Sequence, residues 1–260
     1  MFEIDPNQLK EAIEAFKQKS SEIEKIVRPH LSNTLTDKKI IELCHTGKFL
    51  TLLEKPGHIV TVGDSPDFII SYDDALIGLE HERILHDDKV KVTKSIQKLF
   101  EDSAKHFEKS YPGVHLLANI WLTNENLSFR KMDQHELKNE IARYVFAVST
   151  GSGEMTKPEY IDEVRIYNHN QVAFSCNLDI NNISTLDKKT LESSISKKEY
   201  LIKNYKVNSG LSRQWLLLVI GNLSPDSFEF DESVIKDKMK TDFEKVFLME
   251  DFNTRAWQIA

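Results

Sequence analysis

The chain has 260 residues, of which 40% are hydrophobic and 29% are charged, and its formal net charge is −7. This composition is typical of a globular protein with a sizeable core, and the negative charge argues against non-specific coating of nucleic acid, which depends mainly on Lys and Arg. The only two cysteines, Cys44 and Cys176, lack metal-ligand spacing and give no support for a disulfide scaffold or a structural zinc site.

The first segment is predicted to be a long amphipathic helix. Apolar residues recur at helical spacing from Leu9 to Leu31, and Pro6 after Asp5 suits the first helical position. The segment has no basic stretch leading into an apolar run, and no later stretch stays apolar for long enough to span a bilayer. We therefore expect a cytoplasmic protein with no membrane contact, in which residues 1–35 form a helical N-terminal extension.

The next segments predict one short helix and a group of strands. Thr36 suits the cap of a helix through "DKKIIELCHTG" that ends at Gly47, and the following "KFLTLLEK" fits either a strand or a helix. The runs "HIVTV", "DFIIS" and "ALIGLE" are short, aliphatic or β-branched, and separated by Gly, Pro and Asp. This pattern predicts an antiparallel meander, with "SPDFIISYDDALIGLEHERIL" as one of its hairpins.

The middle of the chain alternates between helical and strand patterns. Helical spacing from Val92 to Phe107 is followed by "VHLLANIWL", which we expect to be a central strand that pairs in parallel with an earlier one. Asp133, with Glu136 three residues later, suits the cap of a helix through "QHELKNEIARYVFAV". The runs "DEVRIYN" and "QVAFSCNL" then predict a second pair of strands.

The last third predicts a basic helix from Lys188 to Lys206, a very apolar strand in "RQWLLLVIGNL", a helix around "SVIKDKMKTDFEKV" and a short strand in "VFLME". Together these elements predict a mixed α/β (α+β) fold, with a central mixed sheet flanked by helices. We expect residues 1–260 to form a single domain.

Three carboxylates are expected to meet at the open end of the predicted hairpin. Asp67 begins one strand, and Glu80 and Glu82 end the next. Residues two apart in a strand point to the same face, so Glu80 and Glu82 share a side, while His81 points away and leaves its backbone carbonyl available. Carboxylate and carbonyl oxygens are the ligands that Mg²⁺ prefers. The sequence therefore predicts a site for Mg²⁺ or Mn²⁺ at Asp67, Glu80 and the His81 carbonyl.

One lysine stands out in the predicted basic helix. Leu191, Ile195, Ile202 and Tyr205 form an apolar stripe, and Lys198 falls in its middle. A lysine on a core-facing stripe either extends its ammonium to an edge or is held by an acid. If the helix packs beside the hairpin, Lys198 approaches Glu80 or a bound phosphate.

The segment "PDFIIS…ALIGLEHE" resembles the PD-(D/E)xK nuclease superfamily, in which "PD" opens one strand and a second acid, followed two residues later by Lys, lies on the next. Asp67 and Glu80 match the two acids, and Glu82 stands at the lysine position. The resemblance implies a restriction-endonuclease-like fold and metal-dependent cleavage of nucleic-acid phosphodiester bonds. It implies that Asp67 and Glu80 bind the metal, that Glu82 orients water, and that Lys198 is a relocated lysine near the phosphate.

A second resemblance covers most of the C-terminal half. The block "ISKKEYLIKNY…RQWLLLVI", followed by "FEKVFLME", is similar to an uncharacterised bacterial family that pairs a PDF…GIE segment with an I-x-x-K helix and a WLL strand. PD-(D/E)xK enzymes sometimes contribute a further acid from a helix. Glu42 lies on the predicted second helix, but its place opposite Ile40 and Cys44 predicts exposure to solvent.

Other interpretations of these residues remain open. Asp67 also suits a turn residue, Glu82 a solvated strand end, and Lys198 a structural ion-pair partner. The alternative function is a catalytically degenerate nuclease fold that serves as a binding or assembly module of a bacterial defence or mobile-element system. The acidic net charge and Glu82 at the lysine position favour that alternative.

Overall fold

The computed structural model describes residues 6–123, 133–152, 155–177, 183–221 and 226–260. The chain divides into two compact units: the first comprises Met1–Ile84, Thr185–Asn222 and Phe228–Ala260, and the second comprises Leu85–Ser184 and Leu223–Ser227. The single domain over residues 1–260 stays a prediction, because compactness alone does not show which parts fold independently.

The described residues form helices and strands that are interspersed along the chain, which confirms the predicted mixed α/β fold. Short 3-10 turns cover Arg28–His30 and Glu232–Ile235. The elements in chain order are α1 Pro6–Val27, α2 Asp37–Leu50, β1 Gly57–Val62, β2 Phe68–Tyr72, β3 Ala75–Arg83, α3 Asp87–Ser110, β4 Leu116–Leu122, α4 Gln134–Thr150, β5 Ile161–Asn168, β6 Ala173–Asn177, β7 Ser184–Thr185, α5 Lys188–Glu199, α6 Ile202–Ser209, β8 Gln214–Ile220, β9 Phe228–Glu229, β10 Lys245–Glu250 and β11 Arg255–Gln258. Among the described residues, no helix combines the length and the apolar character needed to cross a membrane.

The first unit is built on a six-stranded mixed sheet in the order β1-β2-β3-β8-β10-β11. Strands β1, β2 and β3 form the predicted antiparallel meander, β8 lies parallel to both β3 and β10, and β11 pairs antiparallel with β10. All seven residues of β8 are buried, in agreement with its near-continuous apolar sequence.

Alternate residues of β8 belong to different hydrophobic clusters, as the two-residue period of a strand requires. Trp215, Leu217 and Val219 pack with Leu43 and Phe49 of α2. Leu216 and Leu218 of β8 pack instead in a second cluster, on α5 and α6. The helical members of this cluster include Leu191, Ile195, Ile202 and Tyr205. The apolar stripe predicted around Lys198 is therefore a true core-facing stripe.

Helix α2 does not end at Gly47 as predicted but continues to Leu50, so the undecided "KFL" is helical. A Cβ atom on Gly47 would lie 2.4 Å from Cγ2 of Val27, the last residue of α1. The glycine therefore lets the two helices approach closely and does not act as a terminator. The predicted cap is confirmed, because the Thr36 side chain accepts a hydrogen bond from the Lys39 amide. The Asp5 cap lies outside the described residues.

Two predictions in the last third are wrong. The basic helix predicted over Lys188–Lys206 is split into α5 and α6. The helix predicted around "SVIKDKMKTDFEKV" is replaced by the 3-10 turn at 232–235 and a segment without regular secondary structure. The backbone amides of Met239 and Glu244 donate to the carbonyls of Ile259 and Gln214, each at 3.0 Å, so these groups bond to neighbouring segments and not along a helix.

The second unit contains α3, α4 and a three-stranded sheet in the order β5-β4-β6. Strand β4 is central, as predicted, but it belongs to this sheet and not to that of β3, so the predicted parallel pair is wrong. Strands β5 and β6 both pair with β4 and not with each other. The Asp133 cap is confirmed, because its side chain accepts from the amides of His135 and Glu136.

Candidate functional site

Asp67 and Glu80 meet where the β2–β3 hairpin opens. Asp67 lies directly before Phe68 and Glu80 lies directly after Leu79, and these two residues form the last pair at the open end of the hairpin. The Asp67 amide donates to Glu80 Oε2 at 3.3 Å, and the His81 amide donates to Asp67 Oδ2 at 3.0 Å. The two acids therefore come together as the hairpin predicts, and each interacts with the main chain of the opposite strand.

Both carboxylates lie in a largely dry environment. Asp67 is 8% exposed and Glu80 is 5% exposed. Burial is the main cause that raises the pKa of each group, and neighbouring negative charge adds to it: Glu42 acts on Asp67, and Asp67 acts on Glu80. A buried pair of acids is costly for a fold, so its presence marks this end of the hairpin as a candidate functional site.

Lys198 of α5 lies beside the acids of β3. Its Nζ atom is 2.9 Å from Glu80 Oε1 and 3.1 Å from Glu82 Oε2, so Glu80 and Glu82 share a face as predicted. Burial lowers the pKa of Lys198, but hydrogen bonding to Glu80 and the charges of Glu80 and Glu82 outweigh it, and the pKa is raised. Lys198 is therefore held as an ammonium between two carboxylates.

Tyr205 of α6 extends the cluster on the side of Glu80. Its hydroxyl oxygen is buried. Burial, followed by the negative charge of Glu80, raises the pKa of Tyr205, which keeps the phenol protonated. The sequence identified Tyr205 only as a core residue, because its place on the apolar stripe gives no sign that the hydroxyl faces a carboxylate.

Helix α2 supplies two residues that sequence reasoning did not place in the site. Lys39 Nζ lies 2.5 Å from Asp67 Oδ1 and 2.7 Å from Glu42 Oε2. Glu42 is 3% exposed, so its predicted exposure to solvent is wrong. The faces predicted for α2 are therefore wrong: Cys44 is exposed and Ile40 is only partly buried, whereas Glu42 lies on the buried side.

The helical spacing of α2 gives only a partial signal for this buried face. Glu42, Thr46 and Phe49 follow one another at helical spacing and are all buried. Lys39 lies three residues before Glu42 and joins the same row. Because the row begins with two charged residues, its sequence predicts a polar, exposed face. Only the sheet that covers α2 shows that the face is buried.

The His81 side chain points away from the acids, as predicted, and enters a second polar cluster. It is 3% exposed, and its Nε2 lies 3.0 Å from Nδ1 of His45 on α2. Burial, followed by the charge of His45, lowers the pKa of His81 well below its usual value, so the ring is neutral. Asp251 forms an ion pair with Lys48, and its Oδ2 atom lies 3.8 Å from Nε2 of His45.

The oxygen donors at the hairpin end fit a hard divalent cation. The described part of the chain contains no group of three or more His, Cys, Asp or Glu side chains arranged to hold a metal ion. Mg²⁺, however, is commonly bound by one or two carboxylates, with water and substrate phosphates as the other ligands. A carboxylate has about four lone-pair sites, so Asp67 and Glu80 retain acceptor capacity beyond their present hydrogen bonds.

The predicted residues Asp67, Glu80, Glu82 and Lys198 thus lie in one cluster of the first unit, joined by Lys39, Glu42 and Tyr205. Comparisons of the chain with protein-family models, with curated proteins and with solved structures found no match.

Proposed function

We propose that this protein is a metal-dependent nuclease of the PD-(D/E)xK type, which hydrolyses phosphodiester bonds of nucleic acids. The observation that carries the proposal is the buried pair of Asp67 and Glu80, with the Lys198 ammonium 2.9 Å from Glu80. Two desolvated acids and a lysine form the charge arrangement that phosphodiester chemistry needs, namely ligands for a cation and a positive charge for a phosphate.

Asp67 and Glu80 would hold Mg²⁺ or Mn²⁺, with the carbonyl of His81 as the third protein ligand. When bound, the cation supplies activation of water and stabilisation of charge on the phosphate. The hydrogen bond from the His81 amide to Asp67 Oδ2 and that from the Asp67 amide to Glu80 Oε2 fix the orientation of the two carboxylates before any ligand binds.

Lys198 and Glu82 form the more open side of the cluster. The side chain of Lys198 is 20% exposed and that of Glu82 is 36% exposed, against 6% for Glu80. This exposure supports a role in which Lys198 offers its ammonium, as a point-charge ligand, to a phosphate oxygen that approaches from solvent. Glu82 pairs with Lys198 through Oε2, and in the proposal its carboxylate orients a water beside the phosphate.

The test is cleavage of single- and double-stranded DNA and RNA with Mg²⁺ or Mn²⁺ by the protein and by matched variants. Asp67→Asn, Glu80→Gln and Lys198→Met are expected to lower cleavage at least about a hundredfold, which corresponds to about 3 kcal/mol of lost transition-state stabilisation. Asp64→Asn and Lys197→Met change exposed neighbours and should retain activity. Cleavage that survives in Asp67→Asn and Glu80→Gln would reject the assigned site.

A second candidate function is a catalytically degenerate fold that acts as a binding or assembly module of a bacterial defence or mobile-element system. It is favoured by the internal partners of the acids: Lys39 and the His81 amide bind the two oxygens of Asp67, while Lys198 and the Asp67 amide bind those of Glu80. For such a module, no nucleic acid would be cleaved with either metal, and unchanged nucleic-acid binding in Asp67→Asn would distinguish it from the nuclease.

A further inference from the structure

Lys39 lies between two carboxylates in a position that resembles that of a bound cation. Its Nζ atom is 2.5 Å from Asp67 Oδ1 and 2.7 Å from Glu42 Oε2, and it links the start of β2 to α2. The side chain of Lys39 is 15% exposed, that of Asp67 is 11% and that of Glu42 is 5%, so the bridge is shielded from water.

The net formal charge of the cluster equals the charge that one divalent cation would neutralise. Glu42, Asp67, Glu80 and Glu82 carry four negative charges, and Lys39 and Lys198 carry two positive charges, which leaves two negative charges uncompensated. Lys38 also reaches Glu42 at 3.3 Å, but its side chain is 87% exposed and solvent screens its charge. One Mg²⁺ or Mn²⁺ would neutralise the remainder.

Glu42 and Asp67 would otherwise offer a second cation site. Sites that bind two metals place a carboxylate between the ions, and Asp67 has one oxygen toward Lys39 and the other toward the His81 amide of β3. The two oxygens of Asp67 thus face different groups. Oδ1 faces the Lys39 ammonium, which Asp67 shares with Glu42, and Oδ2 faces β3, where the proposed metal would bind with Glu80.

We propose that the Lys39 ammonium takes the place of a second metal ion between Asp67 and Glu42, so that the site binds a single divalent cation. The inference rests on the proposed function, because it assumes the cation at Asp67 and Glu80. Lys39 is in this view a positioning residue that sets the charge and the number of ions. Replacing its ammonium with an uncharged chain of similar length frees both carboxylates for a second ion.

The experiment counts Mn²⁺ ions bound to the full chain by the loss of the free-ion electron paramagnetic resonance signal. The unmodified protein should bind one ion and Lys39→Met two, a doubling. The double variant Lys39→Met/Glu42→Gln should return to one, because the second carboxylate of the new site is gone. Lys38→Met, which removes a charge at the adjacent exposed position, should bind one.

One bound ion in Lys39→Met, or two in the unmodified protein, overturns the inference and leaves the proposed metal site intact. If the unmodified protein binds no ion, the proposed function loses its support. In that case, one ion bound to Lys39→Met would still support the role of Lys39, and no ion bound to Lys39→Met would overturn the inference. If Lys39→Met is unfolded without Mn²⁺, recovery of its circular dichroism spectrum with Mn²⁺ supports the inference. Failure to recover rejects it, since an ion in the place of the ammonium should stabilise the pair.

Discussion

Lys198 and Glu80 are separated by 118 positions in the sequence, yet their charged groups lie 2.9 Å apart. Most of the intervening residues belong to the second compact unit. The chain therefore completes the acid pair of the β2–β3 hairpin with a lysine that comes after a long insertion. This pairing has measurable consequences for stability, which can be separated from activity.

Lys198→Met should destabilise the protein. The substitution removes the ammonium that pairs with Glu80, which is 5% exposed. Removing one partner of a buried ion pair costs about 3 kcal/mol or more. Because Lys198 is partly exposed, we expect a loss of about 2 kcal/mol of unfolding free energy. Urea unfolding monitored by circular dichroism measures the change. Lys197→Met, at the exposed neighbouring position, should stay within about 0.5 kcal/mol of the unmodified protein. Equal stabilities of the two variants would show that Lys198 does not support Glu80.

Divalent cations should stabilise the protein through Asp67 and Glu80. A ligand that binds only the folded state adds about 2.7 kcal/mol at a hundredfold excess over its dissociation constant. We expect the melting temperature to rise with Mn²⁺ in the unmodified protein and in Asp64→Asn, and to stay constant in Glu80→Gln. A rise of the same size in Glu80→Gln would place the bound ion elsewhere.

The contribution of Asp251 to stability should depend on pH. Burial raises the pKa of Asp251, but His45 and Lys48 outweigh it and lower the pKa to about 2. A carboxyl group with a lowered folded-state pKa stabilises the fold above its unfolded value near 4, and this stabilisation is lost as the pH falls from about 4 toward 2. It amounts to about 2 kcal/mol at neutral pH.

Urea unfolding of the protein and of Asp251→Asn at pH 7, 5, 4 and 3 measures this dependence. The difference in unfolding free energy between the two proteins should be largest at pH 7 and 5 and should shrink below pH 4. The exposed Asp64→Asn serves as the control, with a small difference at every pH. A gap between the protein and Asp251→Asn that stays constant down to pH 3 would contradict the assigned pairing with Lys48 and His45.

Gly47→Ala should destabilise the fold although alanine favours helices. The added methyl would lie 2.4 Å from Cγ2 of Val27, and valine has little freedom to rotate away. We expect a loss of about 1–2 kcal/mol, where an unhindered helical position would gain up to about 1 kcal/mol. In a double-mutant cycle measured by urea unfolding, Val27→Ala should remove the penalty. Additive effects would show that the two residues do not touch.

The acid pair was predictable because it depends on local geometry. A hairpin with short strands brings Asp67 and Glu80 together whatever surrounds it, and the apolar stripe of α5 and α6 indicates the inward direction of Lys198. Lys39 and Glu42 were missed because their burial depends on the sheet that covers α2, which the helical period alone does not reveal.

The errors in the strands have a related cause. Sequence order indicates neighbours along the chain, and it suggested that β3 and β4 pair across α3. Strand β3 pairs instead with β8, from the far side of the insertion, and β4 belongs to the sheet of the second unit. Likewise, the segment before β10 has helical spacing, but it is not helical. The backbone amides of Met239 and Glu244 donate to Ile259 and Gln214, which lie nearby only in the folded state.

The parallel pairing of β3 with β8 constrains the order in which the protein is assembled during synthesis. The β1–β3 meander emerges from the ribosome early, but the partner for the free edge of β3 is made only after Leu85–Ser184, the main part of the second unit, has been translated. Until then the nascent chain displays an unpaired strand edge, which is a template for aggregation. A chain that stops short of Gln214 would keep that edge permanently open, so premature termination would be more damaging here than the loss of the last strands alone.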